Sequence, residues 1–339
     1  MKKKVLVTGG TGFVGSYLIR YLLQQNYQVK ALRRATSSMD LVAAVQDQVE
    51  WVEGDILDVP FLDKVMKGVH QVYHVAALIS FDPREAKKML EVNADGTANI
   101  VNMCLEHQVT KLVHVSSIAA LGRKLNQPHI NETAQWENSK ENSNYAISKF
   151  KAEAEVWRGI QEGLNAAIVN PAVILGAGYW DSGSCKVFGR VWSGLKYYPS
   201  GSTGFVDVRD VAKAAIAVME SDIVAERYIL NAQNTTHQDF LTLMATGLGK
   251  PQPTKPAPVW LIQVMAQAEW WRSKFFRSTP LLTAETIRTM QSVYYYDNQK
   301  IKEQLNYRFI PLEQTISETA AVFRESKKNK ATYGLLPLL

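Results

Sequence analysis

Apolar and polar positions along this chain follow two rhythms that trade places at short intervals. Val5, Leu6 and Val7 form a continuous apolar run, glycines interrupt it at Gly9, Gly12 and Gly15, and Phe13, Val14, Tyr17, Leu18 and Leu22 then recur at helical spacing. That pattern predicts a buried strand, a tight turn and a helix from Phe13 to Gln25. The alternation continues. Strands are expected over residues 28–32, 49–53, 71–75, 111–116 and 166–173, and helices over 83–106 and 145–161, with short connections between them. Regular exchange of strand and helix predicts an α/β fold, a doubly wound parallel sheet with helices on both faces and ligands at the carboxyl ends of its strands.

Composition narrows the class. Of 339 residues, 46% are hydrophobic and 21% charged, which is ordinary for a globular protein and leaves no room for general disorder. The formal charge of +6 is made in part near the ends, by Lys2, Lys3 and Lys4 and by Arg324, Lys327, Lys328 and Lys330. No long basic face recurs, so nucleic acid is not an expected partner. Cys104 and Cys185 lie far apart without metal-ligand spacing, so neither a disulfide framework nor a metal site is expected. The lysines lead straight into the first strand without a signal segment, and no apolar run is long enough for a transmembrane segment. A cytoplasmic location follows as an expectation.

The chemistry begins at the glycines. Side chains there would hold a pyrophosphate away from the N–H groups that open the helix, so Gly9, Gly12 and Gly15 predict a dinucleotide site. After the second strand, where an acidic residue would favour the free ribose of NAD, the chain has Arg33 and Arg34. A guanidinium fork suits a 2′-phosphate, which favours NADP(H) over NAD(H); a plain surface arginine pair is the alternative. Asp55 could accept from the adenine amino group or cap the helix that begins near Pro60. Tyr145 and Lys149 lie four apart in a helical pattern, one above the other on one face. An ammonium beside a phenol favours the phenolate and brings its pKa down toward neutrality. Ser117, at the end of the preceding strand, could hydrogen-bond the same substrate oxygen.

Together TGGTGFVG, Gly54-Asp55, HVAA at His74 to Ala77, VNADGT at Val92 to Thr97, HVSS and YAISK resemble the extended short-chain dehydrogenase/reductase family, part of the NAD-dependent epimerase/dehydratase superfamily. The resemblance runs from residue 3 to about residue 325. It implies a Rossmann-type domain over residues 1–174, with contributions from about 204–232, and a smaller, mainly helical substrate-binding part over 175–203 and 233–339. It also implies Ser117, Tyr145 and Lys149 as the catalytic trio, with Asn93 holding a water in the proton relay, Lys149 binding the nicotinamide ribose, and Ala76 and Ala77 lying along the cofactor. For Asn93 the alternative is a structural hydrogen bond, and Ser116 reads as structural. The full expected cofactor set is Gly9, Thr11, Gly12, Phe13, Val14, Gly15, Arg33, Arg34, Asp55, Ile56, Ala76, Ala77, Tyr145, Lys149, Pro171 and Val173.

Asn170-Pro171 through Gly176 resembles the same stretch of dihydroflavonol-4-reductase-like carbonyl reductases, whereas sugar epimerases and dehydratases more often carry Arg-Pro there. Ile118, after the catalytic serine, cannot move the second proton that a dehydratase needs. The expected activity is therefore NADPH-dependent reduction of a small-molecule ketone or aldehyde by a monomer or homodimer. A nucleotide-sugar epimerase and a non-catalytic NADPH sensor are the alternatives. Tyr179, Trp180 and Trp192 are candidates for the substrate pocket or for core. Asp207, Arg209 and Asp210 read as structural, with Asp210 anchoring the two parts by resemblance. The Trp-rich stretch 259–276 is either a helix packed on the substrate part or one that meets a membrane surface.

Overall fold

The computed structural model describes residues 3–122, 127–139, 142–258, 267, 287 and 290–339. The stretch 259–276 lies, but for one residue, outside the described residues. Among the described residues the strands are β1 (Lys4–Thr8), β2 (Gln28–Arg33), β3 (Glu50–Glu53), β4 (Gln71–His74), β5 (Lys111–Val115), β6 (His129–Ile130), β7 (Ala166–Pro171), β8 (Val173–Leu175), β9 (Tyr197–Tyr198), β10 (Ser202–Asp207), β11 (Glu226–Leu230), β12 (Gln233–Thr236), β13 (Lys255–Pro256) and β14 (Tyr295–Tyr296). Seven of them form a parallel sheet in the order β11-β7-β5-β4-β1-β2-β3. The chain moves outward from β1 through β2 and β3, then crosses to β4 and moves the other way. The switch point between β1 and β4 is the crevice where such sheets bind ligands.

Strand periodicity divides the core. Val5 and Val7 face one layer, with α1 (Phe13–Gln24), while Leu6 between them faces the other, with α2 (Val59–Met66). All three are fully buried, and each such side chain stabilises by about 1.5–3 kcal/mol. The expected long helix over 83–106 is built in pieces. A 3-10 turn leads into α3 (Ala86–Leu90), a π turn spans Glu91–Asp95, and α4 (Gly96–Glu106) follows. α5 (Asn144–Gln161) begins with Ser143 accepting from Ala146 N at 2.9 Å, the side-chain cap that fixes where the helix starts.

The expected strand over 166–173 is divided. Pro171 ends β7, Ala172 N bonds to Leu230 O, and β8 then pairs with β10, which pairs with β12 in a second sheet. Proline lacks the N–H that a continuing ladder needs. Around the second sheet pack α6 (Lys186–Trp192), α7 (Val208–Glu220), α8 (His237–Leu248) and the C-terminal helix Leu312–Lys328.

Candidate active site

The glycine turn sits at the switch point. Gly9 has φ +70°, and a Cβ on it would lie 2.8 Å from Ala76 N, so the turn after β1 and the loop after β4 touch backbone to backbone. A Cβ on Gly15 would lie 2.2 Å from Gly9 O, so α1 is pressed against the turn. Gly12 differs. It is exposed, it is the N-cap of α1 without a side-chain cap, and only Gly9 O, at 3.2 Å, stands near where its Cβ would be. The helix therefore opens with uncapped N–H groups facing accessible space, which fits a pyrophosphate. Thr11 and Phe13 are half-buried, Phe13 lies against Gly178, and Val14 faces the core.

At the end of β2 the two arginines part. Arg33 is paired with Glu53 at 2.9 Å, whereas the exposed Arg34 guanidinium has no partner among the described residues. A turn holds Arg34, with its N–H donating to Ser37 Oγ at 3.1 Å. Asp55 is exposed and accepts from Leu57 N at 3.0 Å, but it does not cap α2. That cap is Asp58, which accepts from Phe61 N at 3.0 Å. Ile56 is buried against Gly96.

At the other end, Ser117 follows β5 and Tyr145 opens α5. The Ser117 side chain lies near enough to the Tyr145 phenol to lower its pKa, and its Oγ accepts from Ala119 N at 3.2 Å. The largest influence on Tyr145 is burial, not Lys149. Burial pushes the phenol above its ordinary range and the Ser117 side chain draws it part of the way back. Lys149 Nζ instead donates to Val115 O at 3.0 Å. Burial lowers Lys149 to about 8, against the opposing pull of Glu153. Asn93, in the π turn, accepts from Leu78 N at 2.7 Å and donates to Leu78 O and to Ser148 Oγ, both at 2.9 Å. Its side chain therefore clamps the loop after β4 to the helix that carries Tyr145.

Beneath these groups lies a polar layer that sequence reasoning missed. Thr8 Oγ1 meets His74 Nδ1 at 2.7 Å, His74 Nε2 meets Thr97 Oγ1 at 2.9 Å, and Thr97 donates to Asn93 O at 2.5 Å. Because the Thr97 proton goes to Asn93, the network assigns the His74 proton to Nε2 and leaves Nδ1 to accept from Thr8. Thr8 in turn accepts from Val75 N and Ala76 N at 3.1 Å, so the chain runs from Asn93 back to the loop beside Gly9. His114 stacks at 5.1 Å on His74, fully buried, with neither ring nitrogen bonded among the described residues. The signal was available as histidines in otherwise apolar strands.

Pro171 is buried and Val173 half-buried at the ends of β7 and β8. The three aromatic pocket candidates lie elsewhere. Trp180 packs edge-on to Phe323 at 4.9 Å, and Trp192 packs on Phe323 with Lys250 over its other side, so both cover the C-terminal helix. Tyr179 approaches Asp40 and Tyr333, near the segment after β2. Their indoles and phenol join a hydrophobic seam rather than the reacting end. The aromatic group that does meet Tyr145 is Phe81, at 6.3 Å and edge-on, in the loop with Ile79, which is 63% exposed. An apolar run outside any strand or helix, Leu78-Ile79-Ser80-Phe81, was the available signal. A separate cavity of about 790 Å³ is lined by Trp136, Trp157, Arg227 and Lys300 and contains none of the groups above.

Comparison with known proteins places this geometry. The model of the NAD dependent epimerase/dehydratase family matches residues 5–231. A Synechocystis protein with the provisional name dihydroflavonol 4-reductase is 30% identical over 94% of each chain. Cinnamoyl-CoA reductase 1 of Petunia hybrida is 25% identical, over 95% of this chain and 92% of its own. The crystal structure of gox2253 superposes with a TM-score of 0.81 at 29% identity, covering 96% of this chain and 98% of that one. The dTDP-glucose 4,6-dehydratase DesIV of Streptomyces venezuelae, solved with NAD bound, gives 0.77 at 21% identity over 96% and 98%, a likeness of fold.

Proposed function

Because the chain belongs to the NAD dependent epimerase/dehydratase family, and is thus an NAD(P)-dependent oxidoreductase of the extended short-chain dehydrogenase/reductase type, we propose that it reduces a ketone or aldehyde with NADPH. The observation that carries this reading is the placement of Ser117, at the carboxyl end of β5, beside the buried Tyr145 phenol that opens α5, so that both hydroxyls are available to one carbonyl oxygen. The next residue is the buried Ile118, which offers no second acid or base.

The reduced nicotinamide, when bound, supplies the hydride. Ser117 Oγ donates to the carbonyl oxygen and polarises it. Tyr145 OH gives its proton to that oxygen as negative charge develops there. The positive charge of Lys149 favours the phenolate left behind, and Asn93 keeps α5 in register with the loop that carries Phe81. Phe81 presents an apolar ring beside Tyr145, in a loop that also exposes Ile79, which suits an aromatic or alicyclic carbonyl compound over a sugar. Arg34 stands ready for the 2′-phosphate, and Gly12 leaves the helix start clear for the pyrophosphate.

NADPH absorbance tests this with flavanonols, aromatic ketones, aliphatic aldehydes and hydroxysteroid ketones, with NADH in parallel. Consumption with one carbonyl class and NADPH is the expected result. The second reading, a nucleotide-sugar epimerase or dehydratase, draws on the family and the DesIV likeness. It would show as silence across that panel, with NAD copurified and nucleotide sugars isomerised or dehydrated.

A further inference from the structure

Lys149 and Glu153 are one turn apart on α5, and both are almost fully buried, at 1% and 2% exposure. Glu153 is held from two sides. Asn170 Nδ2 on β7 donates to its Oε1, and Arg227 Nη1 on β11 lies 3.3 Å from its Oε2. Asn170 Nδ2 also donates to Ser117 O at 3.0 Å, and Arg227 donates to Glu132 O and Ala134 O at 2.8 and 2.6 Å. One carboxylate thus touches the backbone of Ser117 through a single amide and shares a helix face with Lys149.

Around Lys149, β4 presents His74, β5 presents His114 and Ser116, and β7 presents Asn170. The π turn and α4 bring Asn93 and Thr97, α5 itself brings Tyr145 and Glu153, and Arg227 stands behind Glu153. Both histidines are neutral, held so by burial and by the Lys149 charge. The carboxylate that acts on Lys149 is Glu153.

We propose that Glu153 is a positioning residue whose buried carboxylate keeps Lys149 an ammonium ion and, through Asn170, ties the Ser117 backbone to the same charge. A lone ammonium in an apolar interior sheds its proton, because burial disfavours the charged form and an opposite charge nearby restores it. Burial has already brought Lys149 down to about 8 with Glu153 in place. Without that carboxylate it would be neutral under the conditions in which Tyr145 needs it charged. The inference rests on the reading that Lys149 serves Tyr145, but its test does not.

The test is an NMR titration of the cofactor-free protein labelled with ¹³C at lysine Cε, with the Lys149 signal identified by its loss in Lys149→Arg. In the parent the midpoint is expected near 8. In Glu153→Gln, which keeps an acceptor for Asn170, it falls by about one pH unit or more. A merely structural role predicts the opposite sign, since loosened packing hydrates Lys149 and raises its midpoint. An unchanged or raised midpoint overturns the proposal. Should Glu153→Gln fail to fold, Glu153→Asp and Glu153→Asn, alike in size and differing in charge, read the same field: the midpoint lies lower in the asparagine variant, and equal midpoints overturn the proposal. A protein silent toward every carbonyl compound but titrating as expected would refute the reductase reading and leave this inference standing.

Discussion

Tyr145 shows how much the surroundings of one side chain add to its spacing in the sequence. Burial, opposed by the nearby Ser117 side chain, dominates its acidity. General acid catalysis contributes about 10²–10⁴-fold, so Tyr145→Phe should lose that much in kcat while NADPH affinity, read by fluorescence titration, stays within a few-fold. Arg34→Ala should weaken NADPH and leave NADH nearly untouched, because a free guanidinium can discriminate only through the phosphate; isothermal titration with both cofactors checks it. The histidines carry a pH effect. His74 is neutral when folded, with its pKa lowered from 6.5 to about 3, and His114 is also lowered. Unfolded chains take up these protons below about 6.5, so His74 removes about 1.4 kcal/mol of stability per pH unit as pH falls from there toward about 3, and His114 adds a loss of the same sign. Thermal unfolding should show that loss, and His114→Leu, which gives up no hydrogen bond among the described residues, should make it shallower.

Elements show where local signals suffice and where they do not. Periodicity placed β1, α1 and α5 within a residue or so of where they lie, since each has one apolar face and a sharp start. It could not tell Asp55 from Asp58, because both are acids before a helix and only backbone geometry decides which one caps. Nor could it show the π turn at Glu91–Asp95, in which Asn93 meets Leu78 and Ser148. The start of α1 offers a paired prediction. Gly15→Ala would force a Cβ against Gly9 O, so both the melting temperature and NADPH affinity should fall. Gly12→Ala meets little protein, so it should weaken NADPH binding while melting changes by only a few degrees. Equal melting losses in the two variants would argue against an open cradle at Gly12.

Across the whole molecule, the nucleotide-binding layers and the C-terminal segments are joined by buried charge. Arg209 has no exposed surface. It is bonded to Asp207 at 2.7 Å and to Glu318 on the C-terminal helix at 2.7 Å, while Asp207 also accepts from Thr315 at 2.9 Å. Asp210, raised to about 6 by burial, accepts from Ile310 N at 2.8 Å and from Tyr307. Their close sequence spacing marked these residues as structural, but their partners lie about a hundred residues away, beyond the reach of any local pattern. Asp207→Ala would leave the buried guanidinium with Glu318 alone, at a cost of up to about 3–5 kcal/mol, visible as a lower urea midpoint. The tail makes a second junction. Leu336 N donates to Tyr17 OH at 2.8 Å, Arg20 donates to Leu336 O at 3.1 Å, and Leu339 N reaches Tyr21 OH at 3.2 Å, so the tail lies along α1. Tyr17 and Leu336 are 319 residues apart in sequence. At about 5–20 residues per second, a ribosome would finish the tail roughly 15–60 s after α1 has emerged. In that interval the glycine turn can form while the helix behind it lacks its cover, so a nascent chain would have this turn before the clasp that secures it.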